Sequence, residues 1–275
     1  MRLVVTKMNL GLWAAAYVKE KIHAFRPTAE KPFVMGLPTG GTVVDFYANL
    51  RLFYKEHLLD FRHIVTFNMD EYVGLPQDHP QSYHSYMRQN LFSEVNIPPE
   101  NTHILDGQAA NLPLECAQYE RAIRQAGGIH LFLGGVGRNG HIAFNEPGSS
   151  FDSRTRPVNL TAATIQANSR FFLNDVHRVP TQALTVGIGT ILQAQELLFL
   201  ASGPSKAGAV AQLCKPGLSE ACPLTALKLH PHATLLADSA ACALAEGPIR
   251  QQLDALMHSQ PDAPHWVVEL PKEAL

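Results

Sequence analysis

The chain has little cysteine and little charge: four cysteines in 275 residues, and only 17% Asp, Glu, Lys or Arg. Cys116, Cys214, Cys222 and Cys242 are irregularly spaced and contain no Cys-x-x-Cys pair, which excludes a zinc ribbon or a dithiol redox motif. Scattered thiols in a chain of this size read as reduced, buried small hydrophobes, and hence as a cytoplasmic setting. No hydrophobic run is long enough to span a membrane. The longest uncharged stretch, Val179 to Gln195, is broken by Pro180, Gly187 and Gly189. Near the start, Leu10, Trp13, Tyr17 and Phe25 recur at near-helical spacing and run through Lys19-Glu20-Lys21, the pattern of an amphipathic helix rather than a signal peptide. Neither sign of charge dominates. Lys plus Arg is 22 against 24 Asp plus Glu, so neither nucleic acid nor an anionic membrane is an expected partner. Tandem repeats, low-complexity tracts and Pro/Ser-rich linkers are absent as well, and residues 1–275 are expected to form one domain.

What is present is a 46% hydrophobic composition laid out as helix and strand in alternation. Phe33 to Leu37, Ile64 to Asn68, Ile129 to Leu133, Ala183 to Ile188, Leu197 to Ala201 and Thr234 to Ala237 read as buried strands, with His265 to Leu270 as a late edge strand. Val43, Tyr47, Leu50 and Tyr54 mark one helix face; Leu114, Tyr119 and Ile123 mark another, ended by Gly127-Gly128. Strands apolar on both faces and separated by helices imply an α/β fold. The expected form is an open, mostly parallel sheet, Rossmann-like and doubly wound, with helices on both faces. Ligands of such sheets bind beyond the carboxyl ends of the strands, so the residues directly after each run carry the functional information.

Four segments stand there. Pro38-Thr39-Gly40-Gly41-Thr42 joins a strand to a helix; it is either a phosphate cradle or an ordinary turn with Thr42 as helix N-cap. It lacks the lysine and spacing of a nucleoside-triphosphate P-loop. Asp70 and Glu71 leave the next strand as adjacent acids, suited to general-base work or, more commonly, to capping. Gly135-x-Gly137-x-x-Gly140 matches a dinucleotide fingerprint literally, but Pro147 interrupts the helix that motif must open, and no acid occurs from Ser153 to Asn174 to bind a ribose. Within it, Asn139, His141 and Glu146 form a cluster that reads as a proton shuttle, since a carboxylate fixes an imidazole's tautomer; a satisfied core histidine is the plainer alternative. The acid-free stretch contains Arg154, Arg156 and Arg170, and Lys206 follows a strand at a helix start, so an anionic small molecule is favoured over a solvated basic face. No metal site is expected, because His-Glu-x-x-His is absent and His230-Pro231-His232 reads as a turn.

Taken together, Pro38 to Thr42, Phe67-Asn68-Met69-Asp70-Glu71-Tyr72 and Gly134 to Pro147 resemble the glucosamine-6-phosphate deaminase (isomerising) family. Asn168-Ser169-Arg170-Phe171-Phe172 and Ser205-Lys206-Ala207 extend the resemblance over about residues 1–245. It implies a cofactor-free aldose–ketose isomerisation with loss of the 2-amino group, in cytoplasmic amino-sugar catabolism. On matching positions it implies Asp70 as the base acting between C2 and C1 and His141 as the ring-opening group. Glu146 and Asn139 would be its partners; many members have Asp where this chain has Asn139. Thr39, Gly40, Gly41, Thr42, Arg170 and Lys206 would hold the substrate phosphate, and a mobile lid would span about 148–180, hinged at Pro147-Gly148-Ser149-Ser150. A homo-oligomer is among the implied partners. Some oligomeric members are activated by N-acetylglucosamine 6-phosphate through basic residues beyond the active-site loop; Arg156 matches one, whereas Val158 stands where those members have Lys, so weak or absent activation is expected. The rivals are a galactosamine-6-phosphate deaminase/isomerase, a 6-phosphogluconolactonase, and a non-catalytic sugar-phosphate sensor. The intact Met69-Asp70-Glu71-Tyr72 string argues against the lactonase, and the retained acid–base residues against the sensor.

Overall fold

A strand buried on both faces needs a covering layer on each, and five-residue apolar runs can supply two cores by alternation. The computed structural model of the chain, which describes residues 1–271, is built on that rule. Its strands are β1 (Arg2–Thr6), β2 (Phe33–Leu37), β3 (Ile64–Asn68), β4 (Asp70–Tyr72), β5 (Thr102–His103), β6 (Leu131–Gly135), β7 (Arg156–Asn159), β8 (Gln182–Thr185), β9 (Glu196–Ala201), β10 (Ala233–Ala237) and β11 (His265–Glu269). The helices are α1 (Leu10–Phe25), α2 (Val44–Lys55), α3 (Tyr83–Asn90), α4 (Leu112–Gln125), α5 (Ala162–Asn168), α6 (Ile188–Ile191), α7 (Ala207–Cys214) and α8 (Gly247–Ser259).

Eight strands form one sheet in the order β11-β1-β10-β9-β6-β2-β3-β5, parallel except for β11, which runs antiparallel to β1. Side chains sort by parity. Leu131, Leu133, Leu198 and Leu200 face a core shared with Ala14, Val18 and Ile22 of α1 and Phe46, Tyr47 and Leu50 of α2. Phe132 and Phe199 face the other core, with Tyr119 and Ile123 of α4, Val210 and Leu213 of α7, and Leu253 of α8. The expected doubly wound architecture is therefore observed.

Strand order reverses between β2 and β6. From β2 the chain moves outward through β3 to β5; from β6 it moves the opposite way through β9 to β10. Loops leaving the carboxyl ends of β2 and β6 diverge, and a crevice opens between them.

A second, three-stranded antiparallel sheet, β4-β8-β7, stands apart from the main one. Here the structure corrects the sequence reading. Ala183 to Ile188 contributes no strand to the parallel sheet: β8 belongs to the small sheet, and Ile188 opens α6. An apolar run specifies burial but not the sheet that supplies it. Four further strands escape the apolar-run criterion. β4 is three residues beginning with two acids, β5 has two residues, β7 contains Pro157 at a sheet edge, and β1 precedes the first run read as a strand. On α4, Leu114 is 52% exposed, and Cys116 lies with Tyr119 and Ile123 on the buried face instead. His230 forms a turn, as expected: it accepts the His232 N–H on its own Nδ1 at 3.1 Å. The cysteines are free.

Candidate active site

β2 delivers the first wall of the crevice. Gly40 has φ +103°, a conformation that suits glycine, and a 3₁₀ turn at Gly41–Val43 leads into α2. No side chain caps this turn; Gly40 holds the cap position and Thr42 does not serve as N-cap. The first N–H groups of such a turn lack internal acceptors and are available to an anion. Two tyrosines brace the loop from behind: the Tyr47 hydroxyl donates to the Pro38 carbonyl at 2.5 Å and the Tyr86 hydroxyl to that of Gly40 at 2.9 Å.

β3 runs on into β4, where successive side chains point to opposite sides. The two acids are thereby separated. Asp70 lines the crevice, 5% exposed, and its Oδ1 has no hydrogen-bond partner. Burial, with the adjacent Glu71 carboxylate in second place, pushes the Asp70 carboxyl well above the usual aspartate range. Glu71 lies outside the crevice lining and takes the Tyr83 and His84 N–H groups at the start of α3. Capping therefore describes Glu71, and the crevice receives Asp70 alone of the pair.

The loop after β6 carries His141, and its glycines have a packing reason. A methyl group on Gly137 would stand 2.3 Å from atoms of the His141 ring; the Gly137 N–H donates to the His141 carbonyl at 2.8 Å. Gly140, at φ +83°, lies against Cys222. Behind His141, Glu146 Oε2 accepts the Asn139 side-chain N–H at 2.8 Å and stands 3.6 Å from His141 Nδ1, while Oε1 accepts from the Thr161 and Thr164 hydroxyls. Burial acts to raise the Glu146 carboxyl, but His141, Thr164 and Asn139 outweigh it and hold the group down at about 2. It is an ionised carboxylate facing an imidazole. Ala143, next to this cluster on the crevice wall, is held at φ +52°, a sparsely populated conformation for a residue with a side chain.

β9 leads through Gly203 (φ +82°) into a 3₁₀ turn ending at Lys206. Burial, then Arg138 and Arg170, lower the Lys206 ammonium below its ordinary value. Among the described residues, none of these three cations forms an ion pair with an acid, so the crevice end lined by Arg170 and Lys206 attracts an anion.

The crevice encloses about 310 Å³, room for a small sugar phosphate. Thr39, Gly40, Gly41, Thr42, Asp70, His141, Arg170 and Lys206 all line it, whereas Asn139 and Glu146 stand behind His141. Arg156 lies outside the lining, on β7, where it donates to Asn145 Oδ1 at 2.9 Å. Sequence reasoning missed the aromatic wall of Tyr72, Tyr83, Phe144 and Phe172, and the two threonines on Glu146. The threonines had a signal, Thr161-x-x-Thr164 at the start of α5, where Thr161 is the N-cap. Among the described residues no three His, Cys, Asp or Glu side chains converge as a metal site would require, and no helix is long and apolar enough to cross a membrane.

Comparison with known proteins bears on this arrangement. A family described as glucosamine-6-phosphate isomerases/6-phosphogluconolactonase matches residues 6–236. The glucosamine-6-phosphate deaminase of Parabacteroides distasonis is 53% identical over 245 residues, covering 88% of this chain and 91% of its own. That of Cronobacter sakazakii is 51% identical over 240 residues, 86% and 90% of the two chains. Among solved structures, a monomeric glucosamine-6-phosphate deaminase superposes with a TM-score of 0.84 at 41% identity, over 89% of this chain and all of that one. The 6-phosphogluconolactonase of Trypanosoma cruzi, at 18% identity and a TM-score of 0.67 over 88% of this chain and 95% of its own, shares the fold.

Proposed function

The chain belongs to the glucosamine-6-phosphate isomerase/6-phosphogluconolactonase family, and from that premise we infer that it converts glucosamine 6-phosphate and water to fructose 6-phosphate and ammonia. The observation that carries this reading is the meeting, in one crevice, of an unpartnered buried carboxylate, a carboxylate-backed imidazole and an anion-receiving end.

The phosphate docks against the Thr39–Thr42 loop, Arg170 and Lys206, supplying binding energy remote from the reacting carbons. His141 takes the proton of the anomeric hydroxyl and returns one to the ring oxygen, opening the pyranose. Glu146 stays ionised through this step and steadies the imidazolium, while Asn139 adds an N–H that keeps the carboxylate in place. Asp70 then removes the C2 proton and delivers it to C1, while the ammonium nitrogen gives up a proton and the C1 carbonyl oxygen gains one, which leaves a hydroxymethyl group at C1 and the carbon–nitrogen double bond at C2. Water adds to that imine and ammonia leaves, giving the ketose. Burial, which raises the proton affinity of Asp70, suits it to taking a carbon-bound proton.

We further propose that residues 148–180 close over the bound sugar as a lid within a single sugar-phosphate domain. Exposed Pro147 and Gly148, the latter at φ +92°, give the hinge, and the segment carries Arg170 and the partly exposed Phe171 to the crevice. Free thiols throughout support a cytoplasmic reaction. The test is ammonia release from glucosamine 6-phosphate and from galactosamine 6-phosphate, without added metal or nucleotide. The glucosamine epimer is expected to be preferred; release from neither would refute the reading, and preference for the other epimer would reassign the substrate.

A further inference from the structure

Glu71 is a carboxylate with only 1% of its surface exposed, and it takes no part in the chemistry above. A buried charge persists only where donors replace the lost water. Here Oε1 accepts the Tyr72 N–H at 2.7 Å and the Tyr83 N–H at 3.0 Å; Oε2 accepts the Tyr83 N–H at 2.9 Å and the His84 N–H at 3.1 Å, and lies 2.9 Å from His84 Nδ1. The Tyr83 and His84 groups open α3, at the positive end of its dipole. Yet α3 already has an ordinary N-cap: Ser82 Oγ accepts the Ser85 N–H at 3.0 Å. Helix stability alone does not call for a second, charged cap brought from another element.

What α3 carries supplies the reason. Tyr83 and Tyr86, three residues apart, share a helix face. The Tyr86 hydroxyl donates to the Gly40 carbonyl at 2.9 Å, and the Tyr83 ring packs against that of Tyr72, centroids 5.1 Å apart. Glu71 is also the chain neighbour of Asp70 and projects to the opposite side of β4. One end of this linkage is therefore the strand that carries Asp70; the other is the loop that faces the anion.

We propose that Glu71 is a positioning residue, which fixes α3 to β4 and through Tyr86 holds the Thr39–Thr42 loop in its phosphate-receiving shape, in register with Asp70. This rests on the reading of that loop as the phosphate site.

The experiment measures binding of inorganic phosphate by calorimetry, and KM and kcat for glucosamine 6-phosphate, in the unaltered chain, Glu71→Gln, Glu71→Ala, Tyr86→Phe and the Glu71→Gln/Tyr86→Phe double variant. Glu71→Ala is expected to weaken phosphate binding and raise KM by about tenfold, the scale of one charge-assisted hydrogen bond, with a smaller fall in kcat. Glu71→Gln, which keeps one acceptor oxygen, should lose less. The double variant should lose no more than the worse of its parents, because both act along one path. Should Glu71→Ala fail to fold, Glu71→Gln and Tyr86→Phe carry the test. Unchanged phosphate affinity in Glu71→Gln, or fully additive losses in the double variant, would overturn the proposal alone. Failure of the unaltered chain to bind phosphate would overturn the assignment of the loop, and the proposal with it.

Discussion

Asp70 must be ionised to act as a base, in a place that resists ionisation. Its folded-state carboxyl lies above its unfolded value because of burial and then Glu71, so the folded chain binds the extra proton between the two. The stability of the fold is then greatest below the unfolded value and falls as pH rises through the folded one. Once ionised, the group is a burden on the fold. Asp70→Asn should therefore be more stable than the native chain by about 1–3 kcal/mol, the range for relieving an unsatisfied buried polar group. Thermal scans at pH 7.5 should show a higher Tm for the variant, and the gap should narrow toward pH 4; a lower Tm at pH 7.5 would contradict the account. Glu146 behaves in the opposite sense. Held down at about 2, it stabilises the fold above the ordinary glutamate value of about 4.3 and loses that contribution as pH falls toward 2. At the anion end, Lys206→Met should raise KM by about tenfold or more with kcat little changed, the mark of lost uniform binding to the phosphate. Of these residues, only the chemical types and their strand-end positions were legible in the sequence. Which of two adjacent acids would face the crevice depends on the pleat of β4 and the position of α3, and neither is written in a dipeptide.

At the scale of an element, the loop between β6 and Glu146 shows how a motif can be literal and still mislead. Gly135-x-Gly137-x-x-Gly140 opens no helix; Gly137 is a glycine because the imidazole of His141 occupies the volume of its absent side chain. Gly137 is not among the residues at positive φ, so alanine fits the backbone there, and its nearest clash is with the ring. Gly137→Ala should fold, and should lower kcat by about 100-fold, the cost of an ångström-scale misplacement of a catalytic group. Steady-state kinetics beside circular dichroism would check this; native kcat in the variant would mean the imidazole has room to spare. Strand legibility followed length and surroundings. β2 and β3 coincide with the expected runs, being five residues long and buried on both faces. Ala183 to Ile188 had the same look, but its strand β8 belongs to a sheet completed by β7, the strand before it, and by β4 from a distant part of the chain.

Across the whole molecule, function is concentrated where strand order reverses. The β2 loop brings the proposed phosphate site, β4 the proposed base Asp70, the β6 loop the His141 imidazole, and β9 leads to Lys206, so four chain segments separated in sequence meet at one end of the sheet. The fold class and this meeting place could be read from the alternation of runs, since parallel sheets put their ligands at strand ends. Arg156 is expected at a regulatory position and not among the catalytic residues. It sits outside the crevice, its guanidinium lowered from its ordinary value by burial and held by Asn145 and Ser149. With Val158 beside it where the resemblance implies lysine in the activated members, activation by N-acetylglucosamine 6-phosphate should be weak or absent and the rate curve close to hyperbolic. A sigmoid curve made hyperbolic by that compound would contradict this. The most direct test of the crevice as one catalytic unit uses Asp70→Asn with glucosamine 6-phosphate in deuterated water. Deuterium incorporation at carbon and ammonia release should both disappear, while calorimetry still finds the sugar phosphate bound with near-native affinity. Continued exchange in the variant, or loss of binding in parallel with turnover, would show that Asp70 is not the base.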